Sequence, residues 1–567
     1  MPARLRSYLP GLSVVTTYSR RWLPKDLIAG LVLTSLLVPQ GMAYAELAGL
    51  PTITGLYTSV LCLTAYAIFG PSRVLVLGPD SALGPMIAVT VASVIGANGD
   101  PARAVALASM LAILVGVITS AVGIAKLGFV ADLLSKPTQI GYMTGLALTI
   151  FVGQLPKLFG FSVDADGLIP ELKAFVDGAV AGDTVPAAVL TGVVGLALIV
   201  LLNRWLPKVP AVLLTVVLSI GAAVMFSLAD HGVKLVGRLP QGAPPFTLPD
   251  VGWSDLPVLL GGAVGIALVS LTDTISTSTA FATRLGQDVR PNQEMIGIGA
   301  ANLAAGFFQG FPISTSGSRT AVAEQAGAKT QVTGLVGAAT ILLMLLFVPG
   351  LLRNLPQPTL AAVVIAASLS LADVKGLRRL WQMRRLEFGL AVAAFFGVAL
   401  LGVLPGIAIA VGLSILNVFR RTWWPYNTVL GRVDGIPGYH DLRSYPDAAQ
   451  LPGLVIYRFD APLIFANTRT FSTEIRSLAR NEPRPRWIIV AAEPITDVDT
   501  TAADMLADLT QDLADDHVSF VFAELKDPVH RKIERYQLTR ALGPEHFFPT
   551  VSAAVRAFEA SASAPVS

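Results

Sequence analysis

Gly78-Pro79-Asp80-Ser81-Ala82-Leu83-Gly84-Pro85 and Gly310-Phe311-Pro312-Ile313-Ser314-Thr315-Ser316-Gly317-Ser318-Arg319 are two interruptions in otherwise apolar sequence. The first follows a β-rich run, Arg73–Leu77, and each passes from Gly/Pro punctuation through small or hydroxyl residues into a short helix. Proline and glycine oppose a continuous helix at these points. One such break is equally consistent with a proline kink in a packing helix. Two breaks at matching positions of two halves are the sequence mark of a transport site built from discontinuous membrane helices. A helix that starts at mid-membrane exposes unpaired N–H groups and about half a positive charge. Two such starts facing one another make a pocket for an anion. Irregular backbone is tolerated at that depth only where it lines a cavity or is buried in protein.

Outward from the breaks, apolar runs of about 16–25 residues recur from Leu27 to Phe419, long enough for a bilayer core of roughly 30 Å. They predict about fourteen spans. These begin near Leu27, Thr54, Asp80, Ala104, Phe129, Val185 and Val209, then Leu256, Asn292, Ser316, Val332, Thr359, Glu387 and Pro405. The breaks are the third segment of each set of seven, and an odd number of spans per half inverts the second half relative to the first. Composition agrees: 53% of the 567 residues are hydrophobic and 14% charged, against about 25% charged in soluble domains.

Lysine and arginine in the connections orient the chain. With the N-terminus in the cytosol, the inner connections hold about three times as many as the outer ones. The longest outer loop, around Asp164 to Asp183, is acidic. After Arg421 the composition becomes that of a soluble α/β domain. Strands are expected at Val455–Phe459, Trp487–Ala491 and Val518–Ala523, alternating with helices at Thr468–Ala479 and Thr501–Leu513. Later helices are expected near Pro528–Leu542 and Ser552–Ala560. The expected organisation is a cytosolic N-terminal segment over 1–26, a transmembrane transport domain over 27–421 and a linker over 422–452. A soluble domain over 453–560 and a tail over 561–567 follow.

The composition argues against other classes. A net charge of +3 is too small to suggest nucleic-acid binding, and the only cysteine, Cys62, lies in an apolar run. No intrachain disulfide or cysteine metal cluster is therefore available. The five histidines fall outside the expected spans, and no metal-ligand spacing or nucleophile–base arrangement appears. The chain reads as no enzyme, with no catalytic residues and no cofactor.

Two charges inside the spans carry the remaining chemistry. Arg319 adds a full positive charge beside the second helix start; it could instead snorkel to an interface or pair with Glu324. Asp273 lies well within the eighth span, where an ionised carboxylate is costly and normally has a partner or a job. Thr277, four residues on, shares its helix face. Carboxylate, hydroxyl and the nearby carbonyls of Ser314 and Thr315 suit Na⁺; a carboxylate that takes up a proton would serve a symporter equally well. The bland alternative is a salt bridge from Asp273 to Arg319.

The chain resembles the SulP family of sulfate permeases and related anion transporters. Val38-Pro39-Gln40-Gly41-Met42-Ala43-Tyr44-Ala45, Phe69-Gly70-Pro71-Ser72-Arg73 and Ser318-Arg319-Thr320-Ala321-Val322-Ala323-Glu324 carry the resemblance, with Gly327-Ala328-Lys329-Thr330-Gln331. It implies a polytopic all-α membrane protein of about fourteen spans in two inverted seven-span repeats, arranged as core and gate domains as in uracil permeases. It also implies a C-terminal α/β STAS domain and a homodimer. The anion would lie between the starts of spans three and ten, at Ser81, Ala82, Leu83, Ser316, Gly317, Ser318 and Arg319, faced by Gln40. The family's eighth-span acid falls on Asp273. Here the third-span start, Asp80-Ser81-Ala82, lacks the bulky aromatic of several animal members, leaving anion size open.

Thr501 occupies the place of the phosphorylatable serine in sigma-factor antagonists, although Asp499 and Thr500 could simply cap that helix. The expected function is secondary active transport of a small inorganic anion across the cell membrane, sulfate first, coupled to H⁺ or Na⁺, with both ends of the chain cytosolic. Na⁺-coupled bicarbonate transport is one alternative, and a membrane-anchored STAS signalling protein is another. The expected partners are the anion, H⁺ or Na⁺, membrane lipid and a second copy of the chain.

Overall fold

A computed structural model describes residues 10–11, 18–95, 99–129, 134–163, 165, 167–206, 209–285, 288–536 and 543–563. The chain divides into two compact units, Met1–Ser414 and Ile415–Ser567.

The first unit is helical. Its first half runs α1 (Leu23–Leu47), α2 (Thr52–Phe69), strand β1 (Leu77–Gly78), α3 (Gly84–Ile95) and α4 (Pro101–Ile124). It continues with α5 (Lys136–Phe159), α6 (Leu168–Ala181), α7 (Pro186–Trp205) and α8 (Ala211–Met225). The second half repeats that order: α9 (Leu256–Leu285), α10 (Pro291–Phe307), strand β2 (Ser314–Thr315), α11 (Gly317–Gln325) and α12 (Val332–Phe347). Then come α13 (Gln357–Leu371), α14 (Val374–Met383), α15 (Arg385–Leu401) and α16 (Val403–Trp423), the last carrying the boundary between the units. Each half thus places a two-residue strand before its third span and an extra helix between its fifth and sixth.

The extra helices, α6 and α14, bury no residue. The stretch expected as an acidic outer loop is therefore a helix, Leu168–Ala181, stopped by Gly182 in the left-handed conformation. Its sequence does not announce a span, because it is short and Glu171, Lys173 and Asp177 interrupt its apolar residues. The fifth span begins at Lys136 rather than near Phe129, with Pro137 in its first turn, where a missing N–H costs nothing. Among the described residues, seven helical stretches are long and apolar enough to cross a membrane by length and composition. The broken helices α3 and α11 are necessarily shorter.

Two features lock the helices together. A Cβ on Gly55 of α2 would lie 1.9 Å from the carbonyl oxygen of Gly41 on α1, so these helices approach backbone to backbone. Asp26, fully buried at the start of α1, accepts from the backbone N–H groups of Lys329 (2.7 Å) and Thr330 (3.2 Å) and from the hydroxyls of Thr330 and Thr333 (2.8 and 3.0 Å). The carboxylate thereby satisfies donors leading into α12, a favourable place for negative charge.

The second unit holds a six-stranded sheet in the order β4-β3-β5-β6-β7-β8. The strands are β3 (Asn427–Arg432), β4 (Tyr439–Asp441), β5 (Leu454–Phe459), β6 (Trp487–Ala491), β7 (Ser519–Ala523) and β8 (Phe547–Phe548). β5 to β8 pair in parallel, while β3 pairs antiparallel with both β4 and β5. Helices α17 (Thr468–Ala479), α18 (Thr500–Asp515) and α19 (Asp527–Arg535) cover one face through Phe459, Phe471, Leu506 and Ile533. Helix α20 (Val551–Ser563) covers the other through Val555 and Phe558. The stretch 422–452, expected as a linker, supplies β3 and β4. Its Pro and Gly mark turns around the edge strand β4 and its neighbour β3 rather than free chain, because β3 finds partners only through the tertiary sheet. The expected helix over 528–542 is described to Arg535, and residues 537–542 lie outside the described residues.

Candidate functional site

The two breaks meet. β1 and β2 pair antiparallel, Leu77 opposite Thr315 and Gly78 opposite Ser314. The Ser316 N–H extends the pairing to the Val76 carbonyl at 3.1 Å, and the Val76 N–H donates to the Thr320 hydroxyl at 3.1 Å. Neighbouring helices satisfy the rest of the second break. Phe311 N–H donates to Thr58 Oγ1 (3.2 Å), Ile313 N–H to Asn302 Oδ1 (3.0 Å), and Ser270 Oγ to the Ile313 carbonyl (2.9 Å). Interrupting a membrane helix frees backbone groups that lipid cannot satisfy, so each needs a partner from the protein. The ladder and these side chains supply those partners.

From the ladder the chain turns into two helix starts. At the first, the Asp80 carboxylate accepts from Ala82 N–H at 2.9 Å, and Gly84 N–H donates to the Asp80 carbonyl at 3.2 Å. At the second, Ser316 caps α11 by accepting from Arg319 N–H at 3.4 Å, and the Ser316 and Ser318 hydroxyls lie 3.1 Å apart. Both starts border one cavity of about 490 Å³. Gln40 and Tyr44 of α1 and Asp273, Ser276 and Thr277 of α9 complete this side of it. The facing wall comes from α5, α7, α8 and α13, including Met143, Asn203, Val212 and Ser370.

Of the residues singled out by sequence, Gln40, Ser81, Ala82, Ser316, Gly317, Ser318, Asp273, Thr277 and Thr315 all line this cavity. Thr277 is beside the second helix start: a Cβ on Gly317 would lie 4.0 Å from its methyl group. Among the described residues the buried Thr315 hydroxyl has no hydrogen-bond partner. Asp273 accepts from Gln139 Nε2 of α5 at 3.3 Å.

Three of the singled-out residues do not line the cavity. Leu83 is fully buried in the core, and Ser314 lies in the ladder with its hydroxyl buried and, among the described residues, unpartnered. Arg319, only 1% exposed, sits behind the ladder; its Nη1 donates to the Pro79 carbonyl at 2.6 Å, while Nε and Nη2 have no partner among the described residues. The guanidinium lies against Gly78, where a Cβ would stand in ordinary contact, 3.4 Å from Nη2. Among the described residues Arg319 forms no ion pair with Glu324 or Asp273, so its recorded side-chain bond braces one break against the other.

Two groups were not picked out from sequence. Asp80 stands in the decisive motif, and the signal was the helix-capping pattern of an acid at a helix start. Glu294 of α10 is 1% exposed and accepts from the Tyr66 hydroxyl at 2.5 Å and from Ser72 Oγ. No local pattern announces it, because its partners come from 222 and more residues away.

In the second unit Thr501 is exposed in the first turn of α18. Asp499 caps that helix, accepting from Ala502 N–H at 2.8 Å and, through its other oxygen, from Phe465 N–H at 2.7 Å. Lys532 donates to Asp497 in the same loop, and that hydrogen bond holds the Asp497 carboxyl below its usual range.

Comparison with known proteins places this geometry. Residues 23–394 match the model of the sulfate permease family, and residues 445–554 match that of the STAS domain. The chain belongs to the sulfate permease family. A relative in that family, a probable sulfate transporter of Mycobacterium tuberculosis, is 40% identical over 552 residues, covering 97% of this chain and 98% of that protein. Probable sulfate transporter 3.3 of Arabidopsis thaliana is 30% identical over 568 residues, covering 96% and 90%. Among solved structures, the anion transporter Slc26a9 from mouse, described in an inward-facing state, superposes with a TM-score of 0.90 at 26% identity over 99% of this chain and 95% of that one. The transmembrane domain of the cyanobacterial bicarbonate transporter BicA shares the fold, with a TM-score of 0.62 at 23% identity over 70% of this chain and 98% of that one. This sulfate permease family member thus has the fourteen-span inverted-repeat membrane fold followed by a STAS domain.

Proposed function

We propose that the chain is a secondary active transporter of sulfate, working by alternating access and coupled to H⁺ or Na⁺. One observation carries the reading: two helix starts, fastened to one another by the β1–β2 ladder, border a single cavity. The N–H groups there suit an anion, and Arg319 behind the ladder adds a guanidinium charge. Ser81, Ala82, Ser316, Gly317 and Ser318 would surround the anion, with Gln40 opposite. Leu83 supports the turn from below.

Charge accounts for coupling. Asp80 and Asp273 share the cavity that would receive a divalent anion. Like charges at close range in a partly dry site are costly, and a cation or proton taken up at Asp273 offsets one of them. Thr277 and Thr315 line the same wall and offer oxygens to Na⁺, with the Ser314 carbonyl behind them. The anion sits between α1, α3, α9 and α11 on one side and α5, α7, α8 and α13 on the other. Relative movement of the two sets would open it to alternate faces. The N-terminus and STAS domain are assigned to the cytosol on the charge of the connections, and the functional unit to a homodimer. The exposed position of Thr501 at a helix start is compatible with a regulatory phosphate.

The test is uptake of labelled sulfate into liposomes holding the full chain, under imposed Na⁺ or pH gradients. Gradient-driven accumulation supports the proposal. Failure to bind or move sulfate under any gradient would sink it.

A further inference from the structure

A second cavity, of about 580 Å³, lies away from the anion cavity, where the beginning of α5, the whole of α14 and the beginning of α15 come together. Four cations line it: Lys136 of α5, Lys375 and Arg379 of α14, and Arg384 at the head of α15. Two acids also line it, and each is already engaged. Asp373 caps α14, accepting from Gly376 N–H at 2.7 Å, and Glu387 pairs with Arg384 at 3.2 Å. Among the described residues, Lys136, Lys375 and Arg379 have no acidic partner within 4.0 Å. Lys375 and Arg379, four residues apart, stand on one face of α14. With four cations against two carboxylates the lining is net positive, and Lys136, Lys375 and Arg379 are the cations left for a further anion.

The surroundings say which anion suits it. α14 buries none of its ten residues, yet Val374 and Trp381 are 67% and 55% exposed, as is Leu386 of α15 at 51%; Met383 instead lines the cleft, its sulfur accepting from Arg379 Nε at 3.3 Å. A short helix with cations on one side and exposed apolar groups on the other is the pattern of a helix lying in the membrane interface. Trp381, packed edge-on against Phe388 with ring centroids 5.0 Å apart, has the amphipathic ring favoured at headgroup level. The cleft also lies at the ends of membrane helices on a single face, because an odd span begins where an even span ends. A soluble anion would satisfy the cations and leave the apolar groups in water. A phospholipid satisfies both.

We propose that this cleft binds the headgroup of an anionic phospholipid, with its phosphate held by Lys136, Lys375 and Arg379 and its acyl chains against the apolar side of α14. The site bears on the anion cavity through α13, whose last residues, Ser370 and Leu371, line that cavity and stand just before the Asp373 cap. A bound lipid thus steadies one wall of the transport path.

Lipid binding can be read without transport, by native mass spectrometry of the full chain titrated with phosphatidylglycerol or phosphatidylcholine. The wild type is expected to retain phosphatidylglycerol in preference. Replacing both Lys375→Gln and Arg379→Gln should weaken that retention by about fivefold per cation, the equivalent of about 1 kcal/mol each. Lys375→Arg should preserve it, as should Arg378→Gln, which removes a neighbouring charge that does not line the cleft. The proposal is overturned by equal retention of the two lipids, by an unaltered double variant, or by an equal loss in Arg378→Gln. Displacement of the lipid by millimolar inorganic phosphate would also overturn it, since the ligand would then be a free anion.

Discussion

Gly78 and Ser314, 236 positions apart in sequence, face one another as backbone partners in a two-rung antiparallel ladder. The pairing turns two separate interruptions into one rigid element and fixes how far apart the two helix starts can be. Behind it Arg319 reaches across to the Pro79 carbonyl. The anion cavity is therefore set by contacts between the halves of the membrane unit, and its parts should fail in distinguishable ways.

Arg319→Ala removes the brace and the buried charge together, leaving the Pro79 carbonyl without its donor. Anion affinity should fall by about 1–3 kcal/mol. Arg319→Lys should recover part of that, keeping the charge without the planar fork. Equilibrium sulfate binding to the purified chain measures both; unchanged affinity in alanine would confine Arg319 to a packing role.

Asp80→Asn keeps a side-chain oxygen to accept from Ala82 N–H but takes a negative charge out of the cavity. Sulfate should bind more tightly, by tenfold or about 1.4 kcal/mol. Asp80→Ala loses the cap as well and should lower the stability of the chain by about 1 kcal/mol, visible as an earlier thermal transition. Weaker sulfate binding in the asparagine variant would contradict the electrostatic account.

Asp273→Asn should abolish gradient-driven uptake whether the coupling ion is H⁺ or Na⁺, while the protein still folds. Thr277→Val separates the two: it preserves shape and removes one oxygen. Under Na⁺ coupling it should raise the Na⁺ concentration for half-maximal uptake, and under H⁺ coupling it should leave uptake near wild type. Full-rate, gradient-driven uptake by Asp273→Asn would take this residue out of the mechanism.

Truncation after Trp423, the last residue of α16, should leave sulfate affinity intact, because every residue lining the cavity precedes Ala372. The STAS domain should influence rate, assembly or expression instead. A truncated chain that folds and forms dimers but binds no sulfate would relocate the site.

Gly55→Ala should strongly destabilise the chain. The new Cβ would meet the Gly41 carbonyl oxygen at 1.9 Å, and relieving such overlap typically costs about 1–3 kcal/mol or more. A thermal transition matching wild type would show that α1 and α2 can separate freely.

What the sequence determined by itself was whatever local chemistry dictates. Apolar length marked the spans, and Gly and Pro marked where helices could not continue. The alternation of strands and helices after Arg421 identified the second domain. Amphipathic helices α6 and α14 were hidden because neither reaches span length, and β3 was hidden because its place between β4 and β5 exists only once the sheet has formed. Within the site, sequence placed Ser318 and Arg319 together, as it did Ala82 and Leu83. Only the tertiary structure put the first of each pair at the cavity and the second behind it. Successive residues point in different directions, about 100° apart on a helix as for Ser318 and Arg319, so adjacency along the chain does not choose a face. That choice follows from how the two halves pack, through a ladder whose partners lie more than two hundred residues apart.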